Sequence, residues 1–233
     1  MPTPDTIWAA LADPALVQPG LLTIRVAAIT LVLHLLLGLG LGWALAQPRW
    51  PGRTALDIAV TLPLVFPPLA LGFFLLLLLG RRSALGGWLE AHLGLSFVFT
   101  VEGVVLASVI AGLPLVVKPI EAAIAGVSRS LGEASRTLGR AEWETFLYVI
   151  VPNIRGAVIA GLVLGTARSL GEVGITLMLG GNIVGRTNTM SLEIYNAVFN
   201  SEFSRAIVLS SLLGLASIVV FIILRRSAKP VLS

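Results

Sequence analysis

Apolar residues run along this chain in blocks longer than a globular core needs, with short polar intervals between them. A helix that crosses the hydrocarbon layer needs roughly 20 mainly apolar residues. Five windows reach that length: 21–46, 55–80, 97–119, 156–180 and 203–224. The pattern predicts an all-α integral membrane protein of five transmembrane helices. Residues 1–20 form a preceding segment, 21–225 a single membrane domain, and 226–233 a short tail. Pro14 and Pro19 interrupt the leading segment, and Thr6–Leu16, with Trp8, has the pattern of a short interfacial helix. Without a basic start or a continuous apolar core, that segment does not read as a signal peptide.

Composition agrees with the blocks. Of 233 residues, 56% are hydrophobic and 12% charged, with a mean hydropathy of +0.95. Soluble domains carry about 25% charged residues, so lipid must be part of this chain's solvent. There is no cysteine, which excludes disulfides, thiolate metal sites and cysteine nucleophiles. The formal charge of +4 is no nucleic-acid footprint, because the basic residues are scattered through short connections. There they report orientation. The 47–54 interval, the central segment with Lys118 counted in it, and the C-terminus together hold ten Lys and Arg; the opposite connections hold Arg81, Arg82 and Arg186. That asymmetry predicts an external N-terminus and a cytoplasmic C-terminus, as five spans require.

Several residues inside the windows call for a reason. Pro63, Pro67 and Pro68 fall within the second apolar run. Each proline removes a backbone donor, and such breaks persist in membranes where protein or a water-filled cavity satisfies the backbone. They read either as a kink lining a path or as a kink that only shapes packing. Gly38, Gly40 and Gly42, like Gly156, Gly161 and Gly165, read as close-packing positions. Arg168 and Glu172 are four apart and share a helix face. Ionisable groups at membrane depth usually face the interior and pair, so the two read as a gate or path element or as an internal ion pair. His34 reads as a hydrogen-bonded packing residue ahead of a proton relay, Asp57 and Glu102 as span-end charges, and Trp43, Trp50 and Trp88 as interface residues.

The central interval, 121–155, is charged and helical in two pieces. Ser130 with Glu133 has capping-box spacing, Gly139 suits a helix terminator, and Ala141–Val151 resumes a helical pattern that Pro152 is expected to disrupt. The 180–189 stretch, with Asn182, Arg186, Thr187 and Thr189, offers hydrogen-bond donors on the other side. It reads as a surface turn or as an external gate or docking loop.

The spacing Glu133-Ala134-Ser135, Gly139 four residues on, then Val149-Ile150-Val151-Pro152, resembles the EAA loop of binding-protein-dependent ABC importer permeases. That family carries Glu-Ala-Ala, three residues, Gly, nine residues, Ile-x-Leu-Pro; here Ser135, Val149 and Val151 depart mildly. The likeness extends from the first window to the last. Leu62–Pro68 with Gly72-Phe73 and Leu79–Arg82, Ala167–Gly174 with Thr176-Leu177-Met178, Gly181–Thr189 and Leu192–Tyr195 look like molybdate permease subunits in particular. Sulfate/thiosulfate permeases are close relatives and the alternative. The resemblance implies a MetI-like permease fold and a homodimer enclosing one path in the bacterial inner membrane. It implies import of molybdate, with tungstate also plausible. Two cytoplasmic ATPase subunits would carry ATP and Mg, no cofactor would bind this chain, and a periplasmic or surface-anchored protein would deliver the anion.

On that resemblance Glu133, Ala134, Ser135, Arg136, Leu138, Gly139 and Pro152 form the ATPase-coupling surface. Pro63, Pro67, Pro68, Arg168, Glu172, Asn182, Arg186, Thr187 and Thr189 contribute to the path or its gates. An intramembrane enzyme is disfavoured, because the windows hold no recognisable catalytic set, and no Gly-x4-Gly-Lys-Ser/Thr run is present. A transport-free membrane anchor would leave the broken second window and the loop spacing unexplained.

Overall fold

A computed structural model describes residues 16–48, 50–127 and 141–227, and among these the regular structure is helical throughout. The first apolar block forms α1, Val17–Ala46, which takes in the end of the segment expected to precede it. The second window is not one helix. It forms α2, Arg53–Val65, and α3, Pro68–Leu79, separated at Phe66 and Pro67. The residue before a proline is biased away from the helical region, and two prolines in succession apply that bias twice. Phe66 precedes Pro67 and Pro67 precedes Pro68, and both are extended, with ψ 138° and 129°. Pro68 then opens α3, where its missing N–H costs nothing. Pro63 is accommodated inside α2.

α4, Ala84–Leu93, follows α3 at a bend of 59°. α5, Val101–Gly126, starts on a Thr100 side chain that accepts the Gly103 N–H and runs through Pro114 and Pro119. It outlasts its expected end at Pro119 because the charges there are paired. Lys118 Nζ lies 2.7 Å from Asp57 and 2.6 Å from Glu121, and Arg53 reaches Glu121 at 3.1 Å. Lys118 therefore belongs to a helix, not to the central loop. After the central interval, α6 spans Glu142–Leu170. Pro152 does not end it. A π turn at Phe146–Ile150 widens the backbone just before the ring, and Asn153 Nδ2 donates to Val149 O at 2.6 Å. α7, Gly174–Gly180, α8, Met190–Phe199, and α9, Phe203–Ser227, complete the chain.

Four helices, α1, α5, α6 and Phe203–Leu224 of α9, are long and apolar enough to cross a membrane; a fifth span exists if the bent α3–α4 pair is one. The fourth window, expected at 156–180, instead stops at Leu170 and restarts at Gly174. α5 is the central element: 61% of its apolar window is buried, against 11–22% for the other three. α1 and α6 pack on it through small residues. A Cβ on Gly38 or Gly42 would come within 2.6 Å of Val116 or Ile120, and one on Gly161 within 3.0 Å of the Val116 carbonyl. Gly40 and Gly156 meet nothing within 4 Å, so the close-approach role belongs to part of the glycine set. His34 sits in this seam, fully buried, with Nε2 3.0 Å from Val109 O.

The tightest point is Gly112. A Cβ there would lie 2.5 Å from His34 Cε1 and 2.7 Å from Ser169 Oγ, and would meet the Gly165 carbonyl. Neither side chain retreats freely, since His34 is held by Val109 O and Ser169 by Ser108 O. Gly112→Ala is expected to cost about 2–3 kcal/mol by overpacking. Gly40→Ala is expected to be near neutral. Melting of the two purified variants checks the difference.

Candidate functional site

The irregular backbone of the membrane domain gathers in one place. The Phe66–Pro67 break lies beside α7, whose first residue, Gly174, would put a Cβ 2.8 Å from Pro68 Cβ. A Cβ on Gly72 of α3 would similarly lie 2.9 Å from Ile175 Cα. Two short helices thus touch backbone to backbone, each next to a break in an apolar run. Pro67 and Pro68 are exposed and Pro63 is half-buried; Val65, at the break, is 85% exposed.

Glu172 is the hub of the second break. Its side chain is 1% exposed. Oε2 accepts from Arg168 Nη1 at 2.6 Å, and Oε1 accepts the Ile175 N–H at 2.7 Å, which caps the start of α7. Its carbonyl oxygen accepts from Ser191 Oγ at 3.1 Å, and Ser191 is 3.0 Å from Thr189 Oγ1. A buried carboxylate is tolerated when paired and fully hydrogen-bonded. This one joins the end of α6, the start of α7 and the start of α8. The Arg168 side chain is 33% exposed, so the cation of the pair reaches the surface while the anion does not. Beside Glu172 lies a cavity of about 20 Å³, walled by the hydroxyl residues Thr23, Thr30, Ser108, Ser169 and Thr176. Thr30 Oγ1 is buried there without a partner among the described residues. A polar space of that size holds one water.

The 181–189 connection differs from its expected form. Thr187 and Thr189 are buried rather than presented outward. Thr187 Oγ1 donates to Gly180 O at 2.6 Å and accepts from Ile183 N at 2.9 Å, closing the turn on itself. Thr189 accepts the Leu192 N–H at the head of α8. Asn182 pairs with Asn196 at 2.6 Å. A turn carrying this many backbone donors and acceptors satisfies them with its own side chains first, which leaves Arg186 as its exposed donor.

The fold brings Pro68, Arg168, Glu172 and Thr189 to one region. Pro152 sits 16 residues before Arg168 on α6, about 24 Å away at 1.5 Å per residue. Glu133, Ala134, Ser135, Arg136, Leu138 and Gly139 lie outside the described residues. Sequence reasoning missed the hydroxyl wall. Its signal was present, since Ser169 stands three residues before Glu172 and Thr30 and Ser108 interrupt apolar windows.

Residues 36–231 match the family model described as binding-protein-dependent transport system inner membrane component. The molybdenum transport system permease protein ModB of Escherichia coli K12 is 37% identical over 188 residues, 81% of this chain and 82% of that protein. The sulfate transport system permease protein CysW of the same strain is 34% identical over 184 residues, covering 79% of this chain and 63% of its own length. A bacterial alginate ABC transporter, crystallised with an alginate pentasaccharide-bound periplasmic protein, shares the fold. Its TM-score is 0.78 at 16% identity, over 98% of this chain and 84% of the transporter chain.

Proposed function

Since the chain belongs to the family of inner membrane components of binding-protein-dependent transport systems, we propose that it is the permease subunit of an ATP-driven importer that carries molybdate into the cytoplasm. The chain is a multi-pass protein of the inner membrane and not itself an enzyme; ATP hydrolysis belongs to a separate subunit of the complex. The observation that carries the transport reading is the pair of half-helices, α3 and α7, packed against each other beside two backbone breaks. Broken backbone at membrane depth is tolerated where it is buried in protein or lines a water-filled cavity. A passive anchor would have no use for it.

α3 and α4 count together as one span, giving five, with the N-terminus outside and the C-terminus in the cytoplasm. Two copies of the chain enclose one path, surrounded by lipid, with Pro63, Pro67 and Pro68 shaping its wall. Arg168 and Glu172 act at a gate tied to Asn182, Arg186, Thr187 and Thr189. Two ATPase subunits, which hold ATP and Mg, dock on Glu133–Gly139 and the start of α6 near Pro152. An oxyanion-binding protein delivers the substrate from outside. This chain carries no cofactor.

Tungstate, a tetrahedral dianion of nearly the same size, is expected to follow molybdate. Sulfate is the second reading, favoured by the 34% identity to a sulfate permease. Labelled molybdate uptake into vesicles holding the complete complex separates them. Uptake that requires ATP and is blocked by tungstate but not by sulfate is the expected result. Block by sulfate would move the assignment to the sulfate branch.

A further inference from the structure

Two clefts share Arg186. The larger, about 550 Å³, is walled by Leu76, Val98 and Phe99 and rimmed by Arg81, Arg82 and Arg186. The smaller, about 370 Å³, sets Arg25 on the other side of Arg186. All four arginines are exposed. The one carboxylate within ion-pairing distance of any of them, among the described residues, is Glu90, 3.3 Å from Arg81 Nε. Arg25, Arg82 and Arg186 have no such partner there.

Arg82 and Arg186 are over a hundred positions apart, and the fold holds their segments together at a cost. Phe99 has φ +60°, rare for a bulky residue. Its N–H donates to Leu179 O at 2.6 Å, and its ring fills the space where a Cβ on Gly181 would stand. Backbone strain of this kind persists where the surroundings over-determine it, and it clusters at functional sites. Here it fixes one apolar wall of the cleft that Arg81, Arg82 and Arg186 also line. Like charges held together repel unless an anion is shared between them, and guanidinium forks match the oxygens of phosphate-like groups.

We propose that this cleft is a binding site for a tetrahedral oxyanion of the phosphate type, held by Arg81, Arg82 and Arg186. The proposal rests on the importer reading in one respect, that this face is external. The oxyanion has two sources. It is the headgroup phosphate of an anionic phospholipid whose chain lies along Leu76, Val98 and Phe99, or it is a free inorganic dianion collected at the mouth. Trp88 and the exposed Leu85 and Leu93 of the adjacent α4 suit a headgroup-level position.

The test uses this chain assembled with its ATPase, without the binding protein, in lipid nanodiscs. One arm measures tungstate binding in purely zwitterionic lipid. The other measures phosphatidylglycerol retained by the complex in mixed lipid, by native mass spectrometry. Arg82→Gln is expected to weaken one of the two on the order of tenfold, the effect of one charge-assisted contact, with Arg82→Lys intermediate and basal ATP hydrolysis unchanged. Loss in the tungstate arm identifies a free dianion, and loss in the lipid arm identifies a headgroup. Wild-type binding in both arms for Arg82→Gln, or no binding in either arm to begin with, overturns the site. ATP-driven uptake is measured separately on the wild-type complex with its binding protein, so failure of the importer reading is not confused with failure of the cleft.

Discussion

Arg168→Leu is expected to lower the stability of the purified protein by about 3 kcal/mol, the scale for leaving one member of a buried pair uncompensated. The reason is an asymmetry. Glu172 is sealed, while the Arg168 side chain is one-third exposed. Without the arginine, the carboxylate keeps only the Ile175 N–H at 2.7 Å. Without the carboxylate charge, the arginine still reaches water. Glu172→Gln is therefore expected to cost about 1 kcal/mol, because the amide oxygen can still accept from Ile175. The double variant Arg168→Leu/Glu172→Gln has no buried charge to compensate and is expected to recover most of the loss. Melting of the three proteins in one detergent or nanodisc preparation checks the ranking; equal loss in all three would mean that the pair does not govern this seam. Uptake by the double variant then separates the two roles. If Arg168 is a cation of the path or gate, a folded double variant transports poorly. If the pair only straps α6 to α7, it transports like the parent.

The long elements were legible because length and apolar content alone determine whether a helix can cross a bilayer. Windows one, three and five correspond to α1, α5 and α9 within a few residues at most ends. The two windows that broke differ in how openly the sequence marks the break. Pro67 and Pro68 in succession bias both Phe66 and Pro67 away from helix, whereas the single prolines Pro63, Pro114 and Pro119 are accommodated within helices. The break at Gly171–Val173 is less visible, since it depends on a carboxylate folding back to cap Ile175, a contact that apolar averaging treats as part of a continuous run. The Arg168–Glu172 pair was readable from four-residue spacing, whereas the Lys118, Asp57, Glu121 and Arg53 cluster joins residues over 60 positions apart. No local pattern announces such a pairing, and it is why Lys118 looked like a loop residue. Thr187 and Thr189 were misjudged for a related reason. Donor-rich turns look available in sequence, but a turn consumes donors to close itself.

Gly139→Pro is expected to reduce ATP-dependent uptake by more than tenfold while leaving the membrane domain folded. Gly139 is outside the described residues, so the expectation comes from sequence and from what flanks the loop. A glycine after a short helix can supply a left-handed C-cap. Proline cannot adopt that conformation, and it also biases the residue before it, Leu138, toward extended backbone. The change therefore falls on the shape of the Glu133–Gly139 segment. The described structure stops at Val127 before that segment and resumes at Ala141 after it. On one side α5 ends at Gly126, with Glu121 tied to Lys118 at 2.6 Å and to Arg53 at 3.1 Å. On the other, Glu144 Oε2 accepts the Ala141 N–H at 3.1 Å where α6 begins. A movement imposed on the loop is thus delivered to α5 and α6, the two helices that meet at Gly112 and Gly165. From Glu142, α6 leads directly to the Glu172 hub. The measurement pairs uptake with recovery of the ATPase alongside the permease and with melting of the membrane domain. Lost uptake with unchanged melting places the damage in coupling, and a weakened hold on the ATPase would locate it at the docking contact. Gly139→Ala, which keeps the backbone donor and places no proline restriction on Leu138, is expected to fall between the two. Full uptake in Gly139→Pro would remove this segment from the coupling route and leave the start of α6, near Pro152, as the place where ATP-driven motion enters the membrane domain.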